Sequence, residues 1–367
     1  MPKKGGTRGV HGRWPTQETR RLQAVRPQDH EVTVQRWITM SGLERGSEHP
    51  EFCNDNSGTF GEDYFTNQRP ALELLADEGF EGFRIPFLWE RMQPNLGGPL
   101  DPTGVQALRY MIATADRLGC KVILAMHNAG DYTVRINDAP VACRLQESVN
   151  GQVRVESDHF VEFWSRMSHA LCGLPNLHGF SLLSSADGLA SDTWHTSAQG
   201  TIDSIRQDRN PISVYVVGGS QVCTSNWGRD NADTALIEDP EGQVIYEAKC
   251  HLDHDGIGEY SRSFEDESKE ACLQERARSR LAPFLDWLDV NKLCGAITDF
   301  KAPRDDQRWS SLLPAVIQSM GQASITSLCW SADTKPADDP VDPGQADEER
   351  VQQSSQTGLF RRNHRPA

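Results

Sequence analysis

Several short apolar runs in this chain end in side chains that could do chemistry on a polar molecule. The run Gly295-Ala296-Ile297-Thr298-Asp299-Phe300 delivers one carboxylate, Asp299. Others deliver Arg84, the pair His127-Asn128 with Tyr132 close behind, Lys249 with His251, and Trp330. Arg, His and Asn can hold hydroxyls and oxyanions, and a carboxylate can serve as base or nucleophile. If Lys249 stands beside Asp299, an ion pair would lower the carboxylate's pKa and tie it up. A Schiff-base role for Lys249 is the sharper alternative, and no other feature supports it. His251, Asp253, His254 and Asp255 offer the donor types of a cation site. A polar loop is the plainer reading, and neither a metal nor an organic cofactor is expected.

The elements that must position these residues follow from hydrophobic periodicity. Apolar runs recur at Val32–Met40, Gly82–Phe87, Lys121–His127, His178–Ser184, Ile212–Gly218, Gln243–Cys250, Cys294–Phe300 and Ser324–Ser331. They are short and rich in Val, Ile, Leu or Phe, as strands buried on both faces should be. Segments with helical spacing separate them, such as Ala107-Met111-Ile112-Ala115, Phe160-Phe163-Trp164-Met167 and Leu281-Phe284-Leu285-Leu288. Strands alternating with helices predict parallel βα units, and eight of them predict an α/β fold of the (β/α)₈ TIM barrel type. No glycine-rich phosphate turn follows any strand, which disfavours an open doubly wound sheet. In a barrel the reactive residues gather at the C-terminal strand ends, where those listed above fall.

The 367 residues suit one barrel domain over 31–335, flanked by tails. Residues 1–30 carry Lys3, Lys4, Arg8, Arg13, Arg20, Arg21 and Arg26 without apolar periodicity, and read as a disordered basic arm. Residues 336–367 begin Pro- and Asp-rich, end in a short basic stretch, and read as a disordered tail. Either tail could dock a protein partner; passive solvation is the plainer reading. A net charge of −15 argues against nucleic-acid binding, and no apolar run suggests a membrane span or a secretory signal. Nine scattered Cys, odd in number and without a C-x-x-C pair, fit a reducing, cytoplasmic setting. A start site placed too far downstream would hide a signal and make the chain secreted.

At the strand ends a family resemblance emerges. The segment Gly82-Phe83-Arg84-Ile85-Pro86-Phe87-Leu88-Trp89-Glu90-Arg91-Met92-Gln93-Pro94 looks like the second-strand segment of family 5 glycoside hydrolases, a group with many endoglucanases. His127-Asn128 with Tyr132 resembles their third strand. Tyr246-Glu247-Ala248 with Leu252-Asp253, Asp255 and Gly256 resembles their sixth. The likeness spans roughly residues 38 to 332. It implies a retaining mechanism with two Glu, an acid/base ending strand four in Asn-Glu-Pro and a nucleophile ending strand seven. Here Ser184-Ser185-Ala186 stands at the first position and Asp299 at the second. The His and Tyr usual on strand six fall on Lys249 and His251, whereas Arg84, His127, Asn128 and Trp330 match. Substrate contacts are thus expected from Arg84, His127, Asn128, Tyr132, Lys249, His251 and Trp330. Trp89, Trp194 and Trp227 offer further flat faces for sugar rings; Trp164 and Trp287 read as core.

The altered pair has a physical cost. Ser185 cannot donate a proton at neutral pH, which removes a contribution of roughly 10²–10⁴-fold. Asp299 is one methylene shorter than Glu, about 1.5 Å, and a 1 Å misplacement can cost about 10²-fold. The expectation is therefore a catalytically inactive descendant that binds an oligosaccharide or polysaccharide, or acts as a scaffold module. The alternative is an active glycosidase on a β-glucan-type polysaccharide, pairing Asp299 with a substitute acid such as Asp187.

Overall fold

The computed structural model describes residues 35–219, 222–231, 236–300, 303, 306, 308–320 and 325–331. The basic arm and the acidic tail lie outside them. Eight strands form the sheet: β1 (Gln35–Thr39), β2 (Gly82–Phe87), β3 (Lys121–Met126), β4 (Leu177–Ser181), β5 (Ser213–Val217), β6 (Val244–Cys250), β7 (Cys294–Phe300) and β8 (Ile325–Ser331). Each pairs in parallel with its neighbours in chain order, and β8 closes on β1. The expected TIM barrel is the observed one. β4 leaves the sheet at Ser181, earlier than the apolar run suggested, so Leu182 to Ala186 belong to the mouth rather than to the strand.

Alternation along the strands sorts side chains into two cores. Phe83, Ile85, Phe87, Leu124 and Met126 point outward into the layer between sheet and helices. Trp37, Ile123, Tyr215, Ile245 and Ala296 form a separate buried cluster that fills the barrel floor. Two aromatic rings fit there because glycines face them. A Cβ on Gly82 would stand 2.4 Å from Trp37 Cε3, and one on Gly179 2.6 Å from Tyr215 Cε2. Above this floor the interior turns polar.

The helices bury the stripes that the sequence pattern marked. The helix Pro102–Arg117 opens with Pro at its start and with the Asp101 side chain accepting from the Gly104 amide at 2.8 Å. Such a cap stabilises a helix by about 1 kcal/mol. It buries Ala107, Leu108, Met111, Ile112 and Ala115. The helix Ser157–Leu171 sinks Phe160, Phe163, Trp164 and Met167, each large side chain stabilising by roughly 1.5–3 kcal/mol. After β3 an unforeseen hairpin, Asp131–Ile136 with Ala139–Arg144, turns on Asn137 and Asp138, both at positive φ. Two positive φ values at the turn match the twist of paired strands, and Asn and Asp tolerate them. No described helix is long and apolar enough to cross a membrane.

Candidate active site

A β-bulge aims the one strand-seven carboxylate into the mouth. Glu247 pairs with Ala296 and Ala248 with Ile297, but the register then slips, so that Lys249 pairs with Asp299 and Cys250 with Phe300. Thr298 is the extra residue. In an unbulged strand Asp299 would share the outward phase of Ile297; with the slip, Asp299 faces inward and Phe300 packs outward. The Asp299 side chain is 23% exposed, and its Oδ2 lies 3.8 Å from Nε2 of the buried His251.

The expected ion pair between Lys249 and Asp299 does not form. The strand register brings their backbones together, but it is His251 that lies at ion-pair distance from the carboxylate. The Lys249 backbone is drawn instead toward the segment after β5, bridging to Cys223 and donating from its amide to Val222 O at 2.7 Å. Its ammonium bears on the Cys223 thiol and on His127.

His127 is exposed through the mouth yet crowded by protein on its other sides. That crowding, then Arg84 and then Lys249, lowers its pKa to about 4, with Asp299 pulling the other way. The imidazole is therefore neutral at pH 7. Beneath it Arg84, buried, donates to Ser181 Oγ at 3.1 Å, and Ser181 donates to Glu247 Oε1 at 2.7 Å. Glu247 is fully buried, with Oε2 at 3.8 Å from Arg84 Nη2. Sequence reading gave Glu247 no role. Its inward phase, two residues before Lys249, was the available signal.

The serines at the acid/base position bind the mouth together. Ser184 Oγ donates to the His127 carbonyl at 2.6 Å, and Ser185 Oγ accepts from the Asp187 amide at 3.1 Å. Asp187 itself is exposed. Burial raises the Cys223 thiol's pKa, and among charged neighbours Asp187 and Asp299 both push it further up. Nothing in the sequence marked Cys223 as part of the site.

Other expected contacts turn out to be scaffolding. Asn128 is engaged on both sides: Oδ1 accepts from the Trp89 amide at 2.8 Å, and Nδ2 donates to Glu90 Oε2 and Asp131 O. Tyr132 is fully buried, its hydroxyl donating to Gln93 O at 2.7 Å, so it cannot touch a ligand. Trp89, Trp194 and Trp227 are likewise core: a ring flat enough for a sugar is also apolar enough to pack on Phe160 or Phe284. Asp253 accepts from the Gly258 and Tyr260 amides and shapes the loop after β6. Trp330, next to last in β8, stands opposite Ile38 and Phe300; its side chain lies outside the described part.

A barrel whose inward polar residues converge at one mouth is the setting the comparisons complete. The family model for cellulase (glycosyl hydrolase family 5) matches residues 43–336. The chain belongs to glycosyl hydrolase family 5. Among family 5 relatives, a probable endo-β-1,4-glucanase B of Aspergillus oryzae is 26% identical over 278 residues, covering 75% of this chain and 74% of its own. Among solved structures, the Pseudomonas stutzeri endoglucanase Cel5A in complex with cellobiose superposes with a TM-score of 0.67 at 22% identity, covering 89% of this chain and 92% of that one. XacCel5A in complex with cellopentaose gives 0.67 at 23% identity, covering 88% and 100%. These structures share the family 5 barrel fold. The curated relatives are named as endo-β-1,4-glucanases.

Proposed function

We propose that the chain hydrolyses β-1,4-linked glucan, with Asp299 as nucleophile and Asp187 as a substitute acid. The observation that carries this is the strand-seven register slip that turns Asp299 into the mouth, with the Asp187 amide bonded at 3.1 Å to the hydroxyl of Ser185, the residue at the acid/base position. Family membership and the endo-β-1,4-glucanase names of relatives support the substrate class.

In the first step an Asp299 oxygen bonds to the anomeric carbon as the glycosidic C–O bond breaks. The Asp187 proton goes to the departing oxygen. In the second, water displaces Asp299 from that carbon and returns a proton to Asp187. His127, neutral, lines the approach as a hydrogen-bond donor to sugar hydroxyls, with Arg84 held beneath it. Against a typical kcat of about 10 s⁻¹, losses of about 10²–10⁴ leave roughly 10⁻³–10⁻¹ s⁻¹, slow but measurable.

Reducing-end release from soluble β-1,4-glucan tests the assignment. Asp299→Asn and Asp187→Asn should each abolish it, and Ser185→Ala should leave it intact. An unaffected Asp187→Asn variant contradicts the acid's role.

A second reading has its own support. Ser185 is held by the Asp187 backbone and cannot donate a proton, which suits a glucan-binding module without turnover. Calorimetric binding of cello-oligosaccharides by a wild-type chain that releases no reducing ends would favour it. Absence of binding as well would leave only a scaffold role.

A further inference from the structure

Outside the residues gathered around Asp299, a groove of about 640 Å³ is lined by Phe60, Thr66, Pro102, Thr103, Gln106 and Tyr110. Phe60 and Thr66 come from the long connection after β1, and the others from the first turns of the helix that follows β2. Both segments start from C-terminal strand ends, so the groove opens at the same end of the barrel as the mouth.

Its lining has a definite chemistry. None of its side chains is charged, in a chain of net charge −15. Thr and Gln side chains both donate and accept hydrogen bonds. Phe60, 42% exposed, is the one aromatic among the exposed large hydrophobics of the described residues. Nor is it loose. Its ring stands edge-on to Tyr64 at 5.6 Å, and the Gly61 amide donates to Tyr64 O at 2.7 Å. Tyr64 in turn lies under the Arg91 guanidinium at 3.9 Å, which is anchored on the Leu43 and Ser57 carbonyls. A ring presented on so fixed a support loses little freedom when it meets a ligand.

We infer that this groove is a second docking site for a neutral glucan chain, holding polymer outside the mouth. A charged polymer would find no counter-charge there, and a purely apolar ligand would leave the Thr and Gln groups unpaired. Ring faces stacked on Phe60 and Tyr110, with hydroxyls bonded to Thr66, Thr103 and Gln106, satisfy both kinds of surface. The identity of the sugar rests on the function proposed above, but no groove residue takes part in that chemistry.

The test is retention of the full chain in a native gel containing neutral soluble β-1,4-glucan, alongside hydrolysis of dinitrophenyl β-cellobioside. The variant is Phe60→Ala with Gln106→Ala, both exposed positions. Its apparent affinity for the polymer should fall about three- to tenfold, the scale of one lost contact, while aryl cellobioside turnover stays at the wild-type rate. Retention equal to wild type, or no retention of the wild type itself, overturns the inference. Groove-dependent retention in a chain without turnover supports the groove and counts only against the hydrolytic reading of the mouth.

Discussion

Nε2 of His251 lies 3.8 Å from Oδ2 of Asp299, whereas Lys249, opposite Asp299 in the strand register, makes no ion pair with it. On the nucleophile role proposed for Asp299, the His251 imidazole is one of the groups that hold the carboxylate in place. His251→Ala should lower kcat about 10²-fold, the cost of a carboxylate displaced by about 1 Å. Lys249→Met should change kcat far less. Steady-state kinetics on an aryl cellobioside decide between them, and a larger effect at Lys249 would reverse the assignment.

The depressed pKa of His127 sets a pH dependence. Burial and Lys121 lower His178 to about 4 as well. Both are depressed below the usual 6.5. Between about pH 4 and 6.5 the unfolded chain therefore binds more protons at these sites than the folded one, so stability rises with pH through that window and falls on acidification. The urea midpoint should be lower at pH 5 than at pH 7. NMR should show His127 neutral down to about pH 4, with Lys249→Met raising that value. A His127 titrating near 6.5 contradicts the crowding described.

Under the mouth, Glu247 and Arg84 are buried partners joined through Ser181. Glu247→Ala leaves the guanidinium without a counter-charge and should destabilise by about 3–5 kcal/mol. Replacing both residues by apolar ones should cost less than that single change. Denaturant unfolding measures each, and an equal loss in both variants would count against the pairing.

Tyr132 provides a check on scaffolding against ligand contact. Tyr132→Phe removes the bond to Gln93 O and should cost about 1–2 kcal/mol in stability. Affinity for cello-oligosaccharides by calorimetry should not change. A selective loss of affinity would restore the residue to the binding surface.

The barrel was legible because buried parallel strands leave continuous apolar runs, and all eight began and ended within a few residues of the described strands. The helices of Ala107-Met111 and Phe160-Met167 showed their buried faces for the same reason. The site was legible only in part. Periodicity tells which residues end a strand, but a single-residue slip at Thr298 decides that Asp299 faces in, and nothing in Gly295-Ala296-Ile297-Thr298 announces a bulge. Side-chain direction also lay beyond reach: Trp89, Trp194 and Trp227 pack inward, because aromatic rings satisfy core and sugar alike. The hairpin after β3 was missed because its turn residues, Asn137 and Asp138, sit among residues of mixed polarity without clear alternation.

The most direct measurement is to trap the nucleophile. A cellobioside bearing fluorine at C2 and a dinitrophenolate leaving group slows the second step and does not need an acid to leave. Incubated with the wild-type chain, it should add one fluoroglycosyl group, mapped by peptide mass spectrometry to the segment containing Asp299, and add none to Asp299→Asn. An adduct on another residue, or an unmodified wild-type chain after prolonged incubation, would contradict Asp299 as the reacting group.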